Sequence, residues 1–94
     1  MVEISDKSLI SRHEGIVYNK LDDELVMMSI ANGEYYGLDS VGARIWDAIV
    51  TPKSFKELVD VLKEEYEVSE EQCKADTLEF LEAMEEKKLI IISE

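Results

Sequence analysis

The apolar pattern of the chain changes period once, near Asp39, and that switch restricts it to a small sheet followed by helices. Before Asp39, three runs rich in β-branched, aromatic and apolar residues read as short strands: Ile16-Val17-Tyr18-Asn19-Lys20-Leu21, Leu25-Val26-Met27-Met28-Ser29-Ile30 and Glu34-Tyr35-Tyr36-Gly37-Leu38. Asp22-Asp23-Glu24 separates the first two. Asn32-Gly33 separates the second and third, and it is the strongest two-residue hairpin signal because both turn positions need a positive φ. A meander of three antiparallel strands is expected. The opening fifteen residues carry no such pattern and read as a loose arm or an extension of the first strand.

After Asp39 the spacing becomes helical. Asp39 or Ser40 can cap a first helix whose inner face is Val41, Ile45, Ala48 and Ile49, with Trp46 beside it. Thr51-Pro52 stops it, since the residue before a proline is pushed out of helical geometry. Ser54-Phe55-Lys56-Glu57 then forms a capping box, and Phe55, Leu58, Val59, Leu62 and Tyr66 make the stripe of a second helix. A second box, Ser69-Glu70-Glu71-Gln72, opens a third helix, with Val68 and Cys73 spaced as a hydrophobic staple. Its apolar side is Cys73, Thr77, Phe80, Leu81 and Met84, with Leu78 at the margin. Lys87 and Lys88 fall in its last turn, where positive charge is favoured. Leu89 to Ile92 is an apolar tail that can pack on the core or add a strand. The expected class is α+β, winged-helix-like, with three helices on one side of a small sheet and the whole of 1–94 as one domain.

Composition excludes several function classes. A formal net charge of −12 repels polyanions and favours neutral or basic partners. Nucleic acid binding needs lysines and arginines to displace counterions, yet the ten here are scattered, with only Lys87-Lys88 adjacent. No apolar run approaches the length of a membrane span, and Met1-Val2-Glu3-Ile4-Ser5-Asp6 lacks the layout of a signal peptide. Cys73 is the single cysteine, so no internal disulfide forms, which fits a reducing compartment and a cytoplasmic location.

No catalytic constellation assembles. His13, the only histidine, lies in the polar stretch Ser11-Arg12-His13-Glu14 without the partners a general base needs. Cys73 stands on the core side of its helix, as a small buried hydrophobe does. One Cys and one His do not build a zinc site, and the carboxylates fall on helix exteriors rather than in a calcium loop. No glycine-rich phosphate loop is present, and neither metal nor cofactor is expected.

Two features suit binding. The third strand is an edge of the meander, and it carries two tyrosines and a glycine in place of the lysine, proline or bulge that usually protects an edge. The third helix has an apolar face wider than one packing surface needs. An open edge beside such a helix fits strand addition, in which main-chain hydrogen bonds supply affinity and side-chain pockets supply specificity.

The same residues resemble a known family. Leu25-Val26-Met27-Met28, Asn32 to Asp39, Val41-Gly42-Ala43-Arg44-Ile45-Trp46, Ser54 to Val59, Glu65-Tyr66-Glu67-Val68 and Asp76 to Leu81 are similar, in order, to the PqqD family of pyrroloquinoline quinone biosynthesis. Similar domains are recognition elements for ribosomally made, post-translationally modified peptides, lasso peptides and radical-SAM products among them. The resemblance implies a non-catalytic, winged-helix-like domain whose third strand accepts the precursor's leader in a groove closed by the third helix. Its implied partners are that leader and a modifying enzyme such as a radical-SAM protein or a leader peptidase. Carried onto this chain, the strand is Tyr35, Tyr36, Gly37 and Leu38, and the wall is Cys73, Thr77, Phe80, Leu81 and Met84. Asp76 is placed to hold a basic leader residue at the rim, and Gly42 and Ala43 permit close packing rather than contact a ligand. Members devoted to the quinone show Pro-Glu after the second strand and Leu-Asn at the first helix; here Ser29-Ile30-Ala31-Asn32 and Leu38-Asp39 stand instead. An exposed edge also allows a homodimer. Two rival readings are a winged-helix transcription regulator binding DNA, disfavoured by Glu57, Asp60, Glu64 and Glu65 on the second helix, and an enzyme subunit completed by a partner chain.

Overall fold

The computed structural model describes residues 4–93. The chain runs through β1 (Leu9–Arg12), β2 (Ile16–Leu21), β3 (Glu24–Ser29), β4 (Tyr35–Leu38), α1 (Ser40–Ala48), β5 (Lys53–Ser54), α2 (Phe55–Glu65), α3 (Glu70–Glu86) and β6 (Ile90–Ser93). The expected meander is present as the antiparallel sheet β2-β3-β4. Its register sets Tyr18, Met27 and Tyr36 in one row and Lys20, Leu25 and Leu38 in the next. Successive residues of a strand face opposite ways, so both rows share the inner face, where Leu25 and Met27 are buried and Tyr36 and Leu38 half-buried.

The hairpin between β3 and β4 departs from the two-residue turn expected. Residues 30–34 make the connection, and Gly33 takes a positive φ of 70° while Asn32 does not. The Asn32 side chain instead accepts from the Glu34 N–H at 2.9 Å, a local turn bond that Asn forms readily.

The opening residues are not wholly a loose arm. Leu9–Arg12 is the middle strand of a second antiparallel sheet, β5-β1-β6, and Ile10 is fully buried. The apolar tail does both things open to it: Leu89 and Ile90 enter the core, and β6 pairs along β1. The helices are therefore not confined to one sheet. Helix α1 packs on the meander, whereas α2 and α3 also meet the second sheet through β5 and β6. Arg12 joins the two sheets through α1. Its Nε and Nη2 donate to the Trp46 carbonyl at 3.1 and 2.7 Å, its Nη1 donates to the Tyr18 hydroxyl at 3.1 Å, and its guanidinium lies over both rings.

The helix ends follow capping chemistry. Asp39 caps α1, its side chain accepting from the Gly42 N–H at 2.9 Å. In α2 the box closes in both directions between Ser54 and Glu57. Only half of the second box forms: Ser69 accepts from the Gln72 N–H, but the Gln72 side chain donates to Asp76. Helix α3 stops at Glu86, so the two lysines lie beyond its last turn. Lys87 is the C-cap, Lys88 has φ 61°, and the Lys88 and Leu89 N–H groups donate to the Glu85 and Met84 carbonyls. That bonding pattern is a Schellman motif with lysine at its left-handed position. On α1, Val41 is 44% exposed, while Gly42 and Ala43 are turned inward with Ile45, Trp46, Ala48 and Ile49. Small residues let the neighbouring helix come close, which a hydrophobic pattern does not register.

Candidate functional site

Among the described residues, strand β4 is bonded on one side only. In an antiparallel ladder, alternate residues direct their backbone groups to one neighbour and then to the other. The Ser29 N–H donates to the Glu34 carbonyl at 3.0 Å, and the register continues through Met28↔Tyr35, Met27↔Tyr36, Val26↔Gly37 and Leu25↔Leu38. Residues 34, 36 and 38 therefore bond to β3, and Tyr35 and Gly37 turn their N–H and C=O groups to the open edge. The other side of β3 agrees, since the Ile30 N–H donates to the Gly15 carbonyl, which directs Met28 and Val26 toward β2.

Helix α3 forms the facing bank. At one end, the Phe80 ring reaches so close to Gly42 that a Cβ there would lie 2.9 Å from a ring carbon and 3.2 Å from the Leu38 Cβ. At the other end, the Lys87 ammonium sits 5.8 Å from the Tyr36 ring centroid, within cation–π range. Below it opens a cavity of about 550 Å³ between the β3–β4 turn and the end of α3, whose lining includes Asn32, Glu34, Tyr36, Ala83, Glu86 and Lys87. There the Tyr36 hydroxyl donates to Glu34 Oε2 at 3.1 Å and accepts from Asn32 Nδ2 at 3.3 Å.

The structure divides the expected site residues. Tyr35, 73% exposed, and Gly37 present the edge, while Tyr36 and Leu38 face the α3 side with Phe80. Leu81 and Met84 are buried in the core beneath the helix, so they support the bank rather than line it. Cys73 and Thr77 are buried too, but they border a separate apolar cavity of about 160 Å³ with Val41, Leu62, Tyr66, Val68 and the exposed Asp76. Sequence reading missed Ala83 and Lys87 as bank residues; their spacing of three and seven from Phe80 was the signal, hidden because neither is a large apolar residue.

Among the described residues no group of three or more His, Cys, Asp and Glu side chains is arranged to hold a metal ion, and no helix is long and apolar enough to cross a membrane. Several basic side chains lie against carboxylates: Lys20 on Asp47, Arg44 on Glu65, Lys56 on Asp60, Lys63 on Glu70 and Lys74 on Asp6. The Arg44 guanidinium is held above its ordinary pKa by its hydrogen bond to Glu65. Cations neutralised in place make a poor phosphate-binding face.

Comparison with known proteins bears on the edge and its bank. The family model "Coenzyme PQQ synthesis protein D (PqqD)" matches residues 24–90. The solved structure "TbiB1 in Complex with the TbiA(beta) Leader Peptide" is similar with a TM-score of 0.80 and 35% identity, over 85% of this chain and 93% of that one. A second, "Lasso peptide synthetase B1 complexed with the leader peptide", has a TM-score of 0.76 and 21% identity, over 87% and 96%. At that identity the second likeness establishes the fold alone. No curated protein matches the sequence.

Proposed function

The chain belongs to the PqqD family, and on that premise we propose that it is a non-catalytic protein that captures the leader of a ribosomally made precursor peptide and presents it to a modifying enzyme. The leader adds to β4 as a further strand, bonding to Tyr35 and Gly37, with its side chains on one face meeting Tyr36, Leu38 and Phe80, and with Asp76 one turn away along α3. The single observation behind this reading is the unprotected β4 edge, beside which a cavity opens between the β3–β4 turn and the end of α3. An edge of that kind binds another chain unless it is blocked. The similar protein TbiB1 was solved with a leader peptide, which agrees with such a use of the fold.

Catalytic power is not required of this role. Holding the leader raises the effective concentration of the attached core peptide at a partner such as a radical-SAM protein or leader peptidase. We take 1–94 as a single recognition domain acting in the cytoplasm. Backbone amide NMR of the labelled protein, titrated with the leader of a precursor encoded beside it, tests the reading. Shifts are expected at residues 34–38 and 76–87. A leader that binds but shifts only residues outside both segments would move the site elsewhere, and no shift with any neighbouring leader would remove the function.

A further inference from the structure

The α3 bank has an acidic rim, with Lys87 and Lys88 only at its turn end. Asp76, Glu79, Ala83 and Glu86 recur at intervals of three, four and three residues, which sets them in one row along the helix, and all are exposed. Glu34 stands across the groove at its turn end. The ion pairs found among the described residues take up Asp6, Asp47, Asp60, Glu65 and Glu70, none of them in this row. Asp76 accepts from the neutral Gln72 amide at 2.8 Å, and Glu34 from the Tyr36 hydroxyl. Lys87 lies over the Tyr36 ring.

From this we infer that the segment captured on β4 is cationic, and that Asp76, Glu79 and Glu86 select it; the inference rests on the leader-binding reading above. A strand laid between β4 and α3 brings its flanking side chains along this row. Lysine or arginine there gains attraction from carboxylates that stand in none of those ion pairs, and acidic residues are repelled. A second copy of this chain is the wrong occupant, because each copy carries a formal net charge of −12. At the turn end Lys87 and Lys88 share the lining with Glu34 and Glu86, so the preference for positive charge is set chiefly along the Asp76 and Glu79 part of the row.

The test uses a displayed library of random 12-residue peptides, selected on the wild-type protein and counter-selected on a folded Gly37→Pro variant, so that only peptides using the β4 edge survive. Survivors should be enriched in lysine and arginine, and raising the salt concentration should weaken them. Neutralising the row together, with Asp76→Asn, Glu79→Gln and Glu86→Gln, should weaken the best of them about tenfold. A control with the same charge change elsewhere, Asp23→Asn, Glu64→Gln and Glu67→Gln, should weaken them much less. Edge-dependent survivors of neutral or acidic composition would overturn the inference while leaving strand capture intact, and so would equal losses in the two triple variants. If no peptide depends on Gly37, the leader-binding reading falls and takes this inference with it.

Discussion

Replacing Gly37 by proline separates capture of a strand from integrity of the sheet. The Gly37 N–H points to the open edge, so its loss removes no bond between β3 and β4. A Cβ built on Gly37 meets no atom within 4 Å, and Tyr36 already has the extended backbone that proline favours before it. Stability should therefore change by no more than about 1 kcal/mol, the gain from a stiffer unfolded chain offsetting some adjustment of φ. A captured strand loses the bond that Gly37 donates, and its own carbonyl is left beside the proline ring. An unmet buried acceptor costs about 1–3 kcal/mol, which corresponds to binding roughly 5- to 150-fold weaker. Tyr36→Pro lacks this selectivity, because the Tyr36 N–H belongs to the ladder with Met27. Urea denaturation measures the first quantity and isothermal titration with the leader the second. A folded Gly37→Pro protein that binds the leader with wild-type affinity would refute strand addition at β4.

Gly42→Ala should cost about 1–3 kcal/mol, because the new methyl overpacks against Phe80 and Leu38; a displaced Phe80 should also weaken leader binding, read by the same titration. Lys88→Gly should raise stability by about 0.5–1 kcal/mol in urea denaturation, since lysine is held at φ 61° where glycine carries no steric penalty. The Glu57 carboxyl is held below its ordinary value of 4.5 by its hydrogen bonds to Ser54. Its stabilising contribution is present above that value and is lost as the pH falls through the lowered one. A Glu57→Gln variant should show a flatter loss of stability on acidification, measured by thermal melts across that range.

The meander and α2 were legible because each buries one face with a regular period, and because Ser54 and Glu57 announce the start of a helix. The second sheet was not. Its strands are two to four residues long, Ile10 is the one deeply buried residue of β1, and the partners Leu9 and Ser93 lie at opposite ends of the sequence. No local period encodes such a pairing. For the site, the edge residues Tyr35 to Leu38 could be read from the order of the strands. The α3 bank was half legible, because apolar spacing picks out Cys73, Leu81 and Met84, and those residues serve the core. The residues that face the groove include Ala83 and Lys87, which look like ordinary surface positions until the helix is set against β4.

The pairing of Leu9 with Ser93 has a further consequence for how this chain can be spliced. Neighbouring strands run roughly 5 Å apart, so the polypeptide enters and leaves the second sheet side by side. A host protein could carry residues 9–93 within one of its turns without being stretched, because the folded insert spans no more than a tight loop does. Loop-closure entropy grows only slowly with chain length, so such an insertion costs the host little. By the same geometry, a short linker across this gap would circularise the chain, and new ends cut at the exposed Asp22-Asp23 turn would leave β4, α3 and the groove between them unbroken.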